Sequence, residues 1–182
     1  MSGPLPEETL LAVGLEILRR YRLDPAGVHG VGHWGRVLET ALELAALSGA
    51  NPRVAQLFAL FHDSCRANDV VDKGHGARGA GLAAGLRARL FALEDPELEL
   101  LKDACARHTD GLREADISVL VCWDADRLDL PRCGIYPRPE QLCTAQGRDP
   151  ARMAACEGRS LRGYVTPFAA KLLAAWEKER RG

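Results

Sequence analysis

Apolar positions recur every three or four residues along most of the chain, and no stretch alternates long enough to read as a strand. After Pro6, "EETLLAVGLEILRRY" places Leu10, Leu11, Ile17, Leu18 and Tyr21 at helical spacing, with acids in the first turn. A second helix is predicted from about Gly32 to Ser48, ended by Gly49, with His33, Val37, Ala41 and Leu44 facing inward. The third is "NPRVAQLFALFHD", where Asn51 suits the N-cap and Pro52 the first helical position. The fourth follows Gly74 and continues to about Phe91; its glycines weaken it but permit close backbone approach. Asp95 and Pro96 open the fifth, which places Leu98, Leu101, Cys105 and His108 on one face and ends by Gly111. The sixth, "ADISVLVCWDADRLDL", has Ile117, Leu120, Val121, Asp124 and Leu128 as its inward stripe. Residues 131–150 are rich in Pro and Gly, lack periodicity and read as an ordered excursion, and a last amphipathic helix follows Pro167. The expectation is an all-α protein, one helical domain over residues 1–182.

Composition narrows the function. A formal net charge of −1 and a pI near 6.5 give no support to a nucleic-acid binder that works by bulk charge. No apolar run approaches the roughly 20 residues that span a bilayer, and the first residues lack the basic and apolar regions of a signal peptide. The cysteines form no CxxC pair and sit in Ala/Leu-rich contexts, so a reduced, cytoplasmic protein without a disulfide framework is expected.

The chemistry starts at "FHDSCR". His62 and Asp63 close an otherwise apolar run, and two such side chains are costly to bury unless something satisfies them. His33, His62, His108 and Asp124 each fall on an otherwise apolar helix face, so four polar side chains from four helices could converge. A metal ion is the natural partner for imidazole and carboxylate, and the absence of Cys from the set favours a borderline or hard divalent ion with open positions over structural zinc. His62 and Asp63 can both reach one ion if the helix ends at them. Each residue also has a plainer reading. A lone inward His is most often hydrogen-bonded in the core, and Asp124 could pair with Arg127 three residues on.

The ordered set resembles the HD superfamily of metal-dependent phosphohydrolases. His33, then His62-Asp63, then Asp124 reproduces its H…HD…D order. "GHWGRVLETA" looks like the first-ligand helix, "LFHDSCR" like the HD motif and "HGARGA" like a following histidine segment. "ARHTDG" resembles the next, and "VCWDADRLD" the last-ligand helix, often written with "ADRLD". The similarity spans about residues 29–130. It implies a first ion on His33, His62, Asp63 and Asp124. His75 and His108 are candidates for a second ion bridged by Asp63, with His75 alternatively touching substrate. The divalent ion would be Mn, Fe, Co, Ni, Mg or Zn, one or two of them.

On this reading a metal-bound hydroxide attacks phosphorus, Asp63 orients or deprotonates the water, and Arg66, with Arg36 or Lys73 behind it, holds phosphate. His29, in the loop "GVHGVG", is substrate-facing. The partner is a small phosphorylated compound, a nucleotide foremost, with no membrane and no nucleic acid. Two alternatives from other classes share the residue pattern: a di-iron oxygenase of the same fold, and a nucleotide-binding protein with a vestigial site.

Overall fold

The computed structural model describes residues 3–182, which form helices and turns without a sheet strand among them. The helices are α1 (Glu7–Leu18), α2 (Val31–Ser48), α3 (Pro52–Phe61), α4 (His75–Leu86), α5 (Asp95–Arg107), α6 (Ile117–Arg127), α7 (Pro150–Leu161) and α8 (Pro167–Arg181). Two 3₁₀ turns, Leu130–Cys133 and Pro139–Gln141, lie between α6 and α7. The fold class is as expected, all-α.

α3 sits at the centre and packs against α1, α2, α4, α5 and α6. Its position explains its sequence: every residue from Val54 to Phe61 is buried, so it has no polar face. Asn51 starts it by accepting the backbone N–H of Arg53 at 2.9 Å. Gln56, the one polar side chain in that buried run, is satisfied by both backbone groups of Leu5, at 2.7 and 3.1 Å, which ties the N-terminal segment to the core. α1 and α8 pair across the outside of α2 and α3, and α4 lies along α5.

The glycines of α4 act as the sequence suggests. A Cβ at Gly76 would strike the carbonyl of Cys105, and one at Gly79 the carbonyl of Phe61. These two positions let α4 approach α5 and the end of α3 backbone to backbone.

Three expectations change. α4 ends at Leu86, not near Phe91; Ala88 takes a left-handed φ of 65° and the chain reverses between Arg87 and Phe91. α7 falls at the end of and beyond the stretch read as aperiodic, capped by Asp149 on the N–H of Arg152 at 2.9 Å. Only Cys156 and Ser160 of that helix are buried, a stripe too narrow to show as apolar periodicity. In α6 the buried face is wider than a stripe: Val119 and the run from Val121 to Ala125 are buried, whereas Ile117 is 37% exposed.

Candidate metal centre

α3 ends at Phe61, and the turn that follows turns His62 and Asp63 toward one point. The His62 Nδ1–H is given to the carbonyl of Phe58, 3.0 Å away and one turn back. His108 sits just past α5 and gives its Nδ1–H to Cys105, one of the free carbonyls at that helix end, at 2.7 Å. His75 opens α4 and gives its Nδ1–H to the carbonyl of Asp72 at 2.6 Å. His33, in the first turn of α2, faces the Asp129 carboxylate through Nδ1 at 2.8 Å. All four rings are buried.

A neutral imidazole whose Nδ1 carries the proton has a lone pair on Nε2. Here the Nε2 atoms meet in pairs: His33 and His62 at 2.9 Å, His75 and His108 at 3.0 Å. Two lone pairs at that distance need something electrophilic between them. A metal ion fits, held through Nε2 with the second nitrogen fixed by carbonyl or carboxylate.

Asp63 lies between the pairs. Its Oδ2 is 3.8 Å from the Nε2 of both His33 and His62, and its Oδ1 is 3.0 Å from His75 Nε2 and 3.7 Å from His108 Nε2. Two triads can therefore hold an ion, His33–His62–Asp63 and Asp63–His75–His108, and they share the carboxylate. Asp63 also accepts from His29 Nδ1 at 2.8 Å and from Arg66 Nε at 2.9 Å.

The protonation states suit ligands. Burial drives the His62 imidazole down to about 3 against the pull of Asp63 and Asp126, so the ring is neutral at neutral pH. Burial opposes ionisation of Asp63, but His62 and the surrounding His108, His29 and His75 hold its carboxyl well below the usual range. Asp126 is likewise held far down despite burial, by its nearness to His33, His62 and His108. Burial disfavours charge on His108, yet the nearby carboxylates of Asp63 and Asp126 raise its pKa above the ordinary value. A proton on His108 thus stands where a cation would.

His29, His33, His62, Asp63, Arg66, His75 and His108 all meet at this centre. Asp124 does not, and the expectation for it is corrected. Its Oδ1 accepts the N–H of Cys143 at 2.7 Å, and its Oδ2 the N–H and hydroxyl of Thr144 at 2.8 and 2.7 Å. Fully buried, it anchors the excursion. It makes no pair with Arg127, which donates instead to the carbonyls of Leu112 and Gln141.

The carboxylate that faces the histidines is Asp126, with Oδ1 3.4 Å from His33 Nε2 and 3.7 Å from His62 Nε2. Two residues along a helix is about 200° of rotation, so only one of Asp124 and Asp126 can point this way. The signal was present in "ADRLD", which begins Ala125-Asp126.

Arg36 is also corrected. Its guanidinium is spent on Asp129, Nε to Oδ1 at 2.7 Å and Nη2 to Oδ2 at 3.0 Å, and on the carbonyl of Tyr164. It steadies the carboxylate that orients His33 and is not free for phosphate. Lys73 is exposed on the loop before α4 and does not line the cavity over the cluster. Two residues that sequence reasoning missed are Asp129 and Arg132. Arg132 Nη2 lies 3.2 Å from His33 Nε2.

The cavity over the cluster has a volume of about 240 Å³. His29, Asp63, Arg66, His108, Asp126 and Arg132 line it together with Asp69 and Thr109, and Val70 and Ile135, both exposed, stand at its apolar side.

Fold and site together define an all-α protein whose imidazoles and carboxylates can hold a metal ion. The HD domain family matches residues 30–130, more than half of the chain, and the chain belongs to that family. It is similar to a solved structure, a predicted HD superfamily hydrolase from an uncultured Thermotogales bacterium. The TM-score is 0.63 at 26% identity, over 93% of this chain and 92% of that one. No curated protein matches the chain. The protein is thus HD superfamily hydrolase-like, and no helix among the described residues is long and apolar enough to cross a membrane.

Proposed function

We propose that the protein is a metal-dependent phosphohydrolase that acts on a small phosphorylated compound, a nucleotide being the leading class. The observation that carries this is the convergence of four Nδ1-pinned imidazoles on one shared carboxylate. His33, His62, Asp63 and Asp126 would hold one divalent ion, and Asp63, His75 and His108 a second. Such ions acidify water and neutralise charge on phosphoryl oxygens. The chain's own groups do the rest. Asp129, Phe58, Asp72 and Cys105 hold each ring in the ligating tautomer. Asp63 is the carboxylate placed to orient a water or take its proton, and His29 is close enough to that carboxylate to pass a proton on. Arg66 adds positive charge at the cavity wall.

A cavity of about 240 Å³ encloses a phosphoryl group and part of what it is attached to. The remainder, a base for example, would lie against Val70 and Ile135. Two guanidinium groups beside the cluster suit an anionic substrate, which favours phosphate chemistry over oxygenation of a neutral one.

The test is metal content by elemental analysis together with hydrolysis of a panel of nucleotide and sugar phosphates under several divalent ions. Asp63→Ala should lose both metal and hydrolysis. His108→Ala should lower the metal stoichiometry from two to one. A wild-type protein that takes up no metal and releases no phosphate from the panel would sink the reading, and activity that depends on iron and O₂ would move it to the oxygenase class.

A further inference from the structure

We propose that Arg132 is the residue that grips the substrate's phosphoryl group at this centre. The inference rests on the phosphohydrolase reading, and the residue lies outside the matched span of residues 30–130. It belongs to the 3₁₀ turn Leu130–Cys133, and its side chain is only 7% exposed.

One side of the guanidinium is fixed by backbone. Nε donates to the carbonyl of Val28 at 2.9 Å and Nη1 to that of Asp129 at 2.9 Å. The remaining nitrogen, Nη2, points at the cluster, where its acceptor is the Nε2 lone pair of His33. That is the same lone pair a metal ligand must give up. When His33 serves as a ligand, that N–H loses its acceptor among the described residues and faces the cavity with its hydrogen free for an incoming group. A cation cannot take over as acceptor, nor can the other imidazoles, whose lone pairs are committed in the same way. An anionic oxygen can, and a phosphoryl oxygen lodged beside the ligands matches a guanidinium edge in both charge and geometry. Arg66 is held through the same two nitrogens, but its Nε is paired with the Asp63 carboxylate, which already offsets its charge, whereas both backbone partners of Arg132 are neutral carbonyls. Arg132 also borders a second cavity of about 380 Å³, shared with Val28, His33 and Leu161, which gives the rest of a substrate somewhere to go.

Calorimetric titration separates this role from a structural one. Mn²⁺ is titrated into wild type, Arg132→Ala and Arg132→Lys, and inorganic phosphate is then titrated into each Mn²⁺-loaded protein. The expected result is equal Mn²⁺ stoichiometry in all three. Phosphate affinity should fall about tenfold to a hundredfold in the Ala variant, in line with loss of a charge-assisted hydrogen bond, and recover in part with Lys. Phosphate affinity of the Ala variant within about twofold of wild type overturns the assignment, on the same scale. So does loss of Mn²⁺ from both variants, which would make Arg132 a residue that holds the cluster together. Should the Ala variant fail to fold, Arg132→Gln, which keeps a donor for Val28, is judged by the same thresholds. A wild type that binds no Mn²⁺ sinks the metal reading itself, whereas normal Mn²⁺ binding with unchanged phosphate binding in the variants sinks only the role of Arg132.

Discussion

Asp129→Asn tests whether His33 is held as a ligand by its partner. The carboxylate accepts three N–H groups: His33 Nδ1 and Arg36 Nη2 on Oδ2, and Arg36 Nε on Oδ1. An amide has one oxygen. With that oxygen at the Oδ2 position His33 keeps its tautomer on a neutral, weaker acceptor while Arg36 Nε faces an NH₂; with it at Oδ1 the NH₂ meets His33 Nδ1 and Arg36 Nη2, and His33 must move its proton to Nε2. The ring then presents N–H where a lone pair is needed. Loss of such an orienting partner typically costs about tenfold to a hundredfold in metal affinity.

Stability should fall as well. Burial works against the Asp129 charge, but His33 and Arg36 outweigh it and lower the carboxyl from 3.8 to about 2. At about 1.4 kcal/mol per unit, that is on the order of 2 kcal/mol tied to the ionised form. Because the folded pKa is the depressed one, this contribution is present above the unfolded value and lost as pH falls through about 2. The variant also leaves the buried Arg36 short of its counter-charge, so a total loss of about 3–5 kcal/mol is expected. Urea denaturation at neutral pH reads the stability, and calorimetric titration with Mn²⁺ reads the affinity. An Asn variant that binds Mn²⁺ as tightly as wild type would refute the tautomer argument, however unstable it proved.

Three further outcomes follow from the same geometry. Asp126→Asn should weaken Mn²⁺ binding more than it lowers stability, since part of what its depressed carboxyl contributes to the metal-free fold is support of the same cluster. Asp124→Ala should do the reverse: it orphans the N–H groups of Cys143 and Thr144, at about 1–3 kcal/mol each, and the paired titrations and melts would show the crossover or its absence. Gly79→Ala should cost about 1–3 kcal/mol, because its Cβ would meet the Phe61 carbonyl. Gly81→Ala, in open space, should be neutral or stabilise by about 0.5–1 kcal/mol, so equal melting shifts for the two would contradict the packing of α4. Finally, Mn²⁺ affinity should rise between about pH 6 and pH 8, with proton release seen as buffer-dependent heat. The raised pKa of His108 means that its proton stabilises the metal-free fold below the ring's unfolded value, and that this is lost as pH rises through the folded one; a flat affinity profile would show that no such proton is displaced.

Much of the arrangement is written in local signals. The cap at Asn51, the fully apolar α3 and the turn at His62-Asp63 follow from residue chemistry within a dozen positions, so the helix and its paired end were readable. The choice between Asp124 and Asp126 was not, because periodicity distinguishes faces only when one of them is wet. α6 is buried nearly all round, and which buried face meets the histidines depends on where residues 143–147 return. Arg36 misled for a related reason: sequence shows a cation near the first histidine but not that Asp129, 93 residues away, has claimed it. Arg132 was hidden in a stretch without periodicity, since a 3₁₀ turn carries no amphipathic pattern of its own.

That turn imposes a constraint on length. Asp126, Asp129 and Arg132 are spaced by three, at the end of α6, just past it, and in the 3₁₀ turn that continues it. Residues three apart lie nearly in line in such a turn, so one edge of the chain presents a carboxylate facing the histidines, the anchor of an imidazole and a guanidinium in succession. Substitutions along this edge can be absorbed one at a time. A single residue inserted or deleted between 126 and 132 would swing everything beyond it by about 100–120° and uncouple all three at once. Among related chains this segment should therefore vary in letters and hold constant in number.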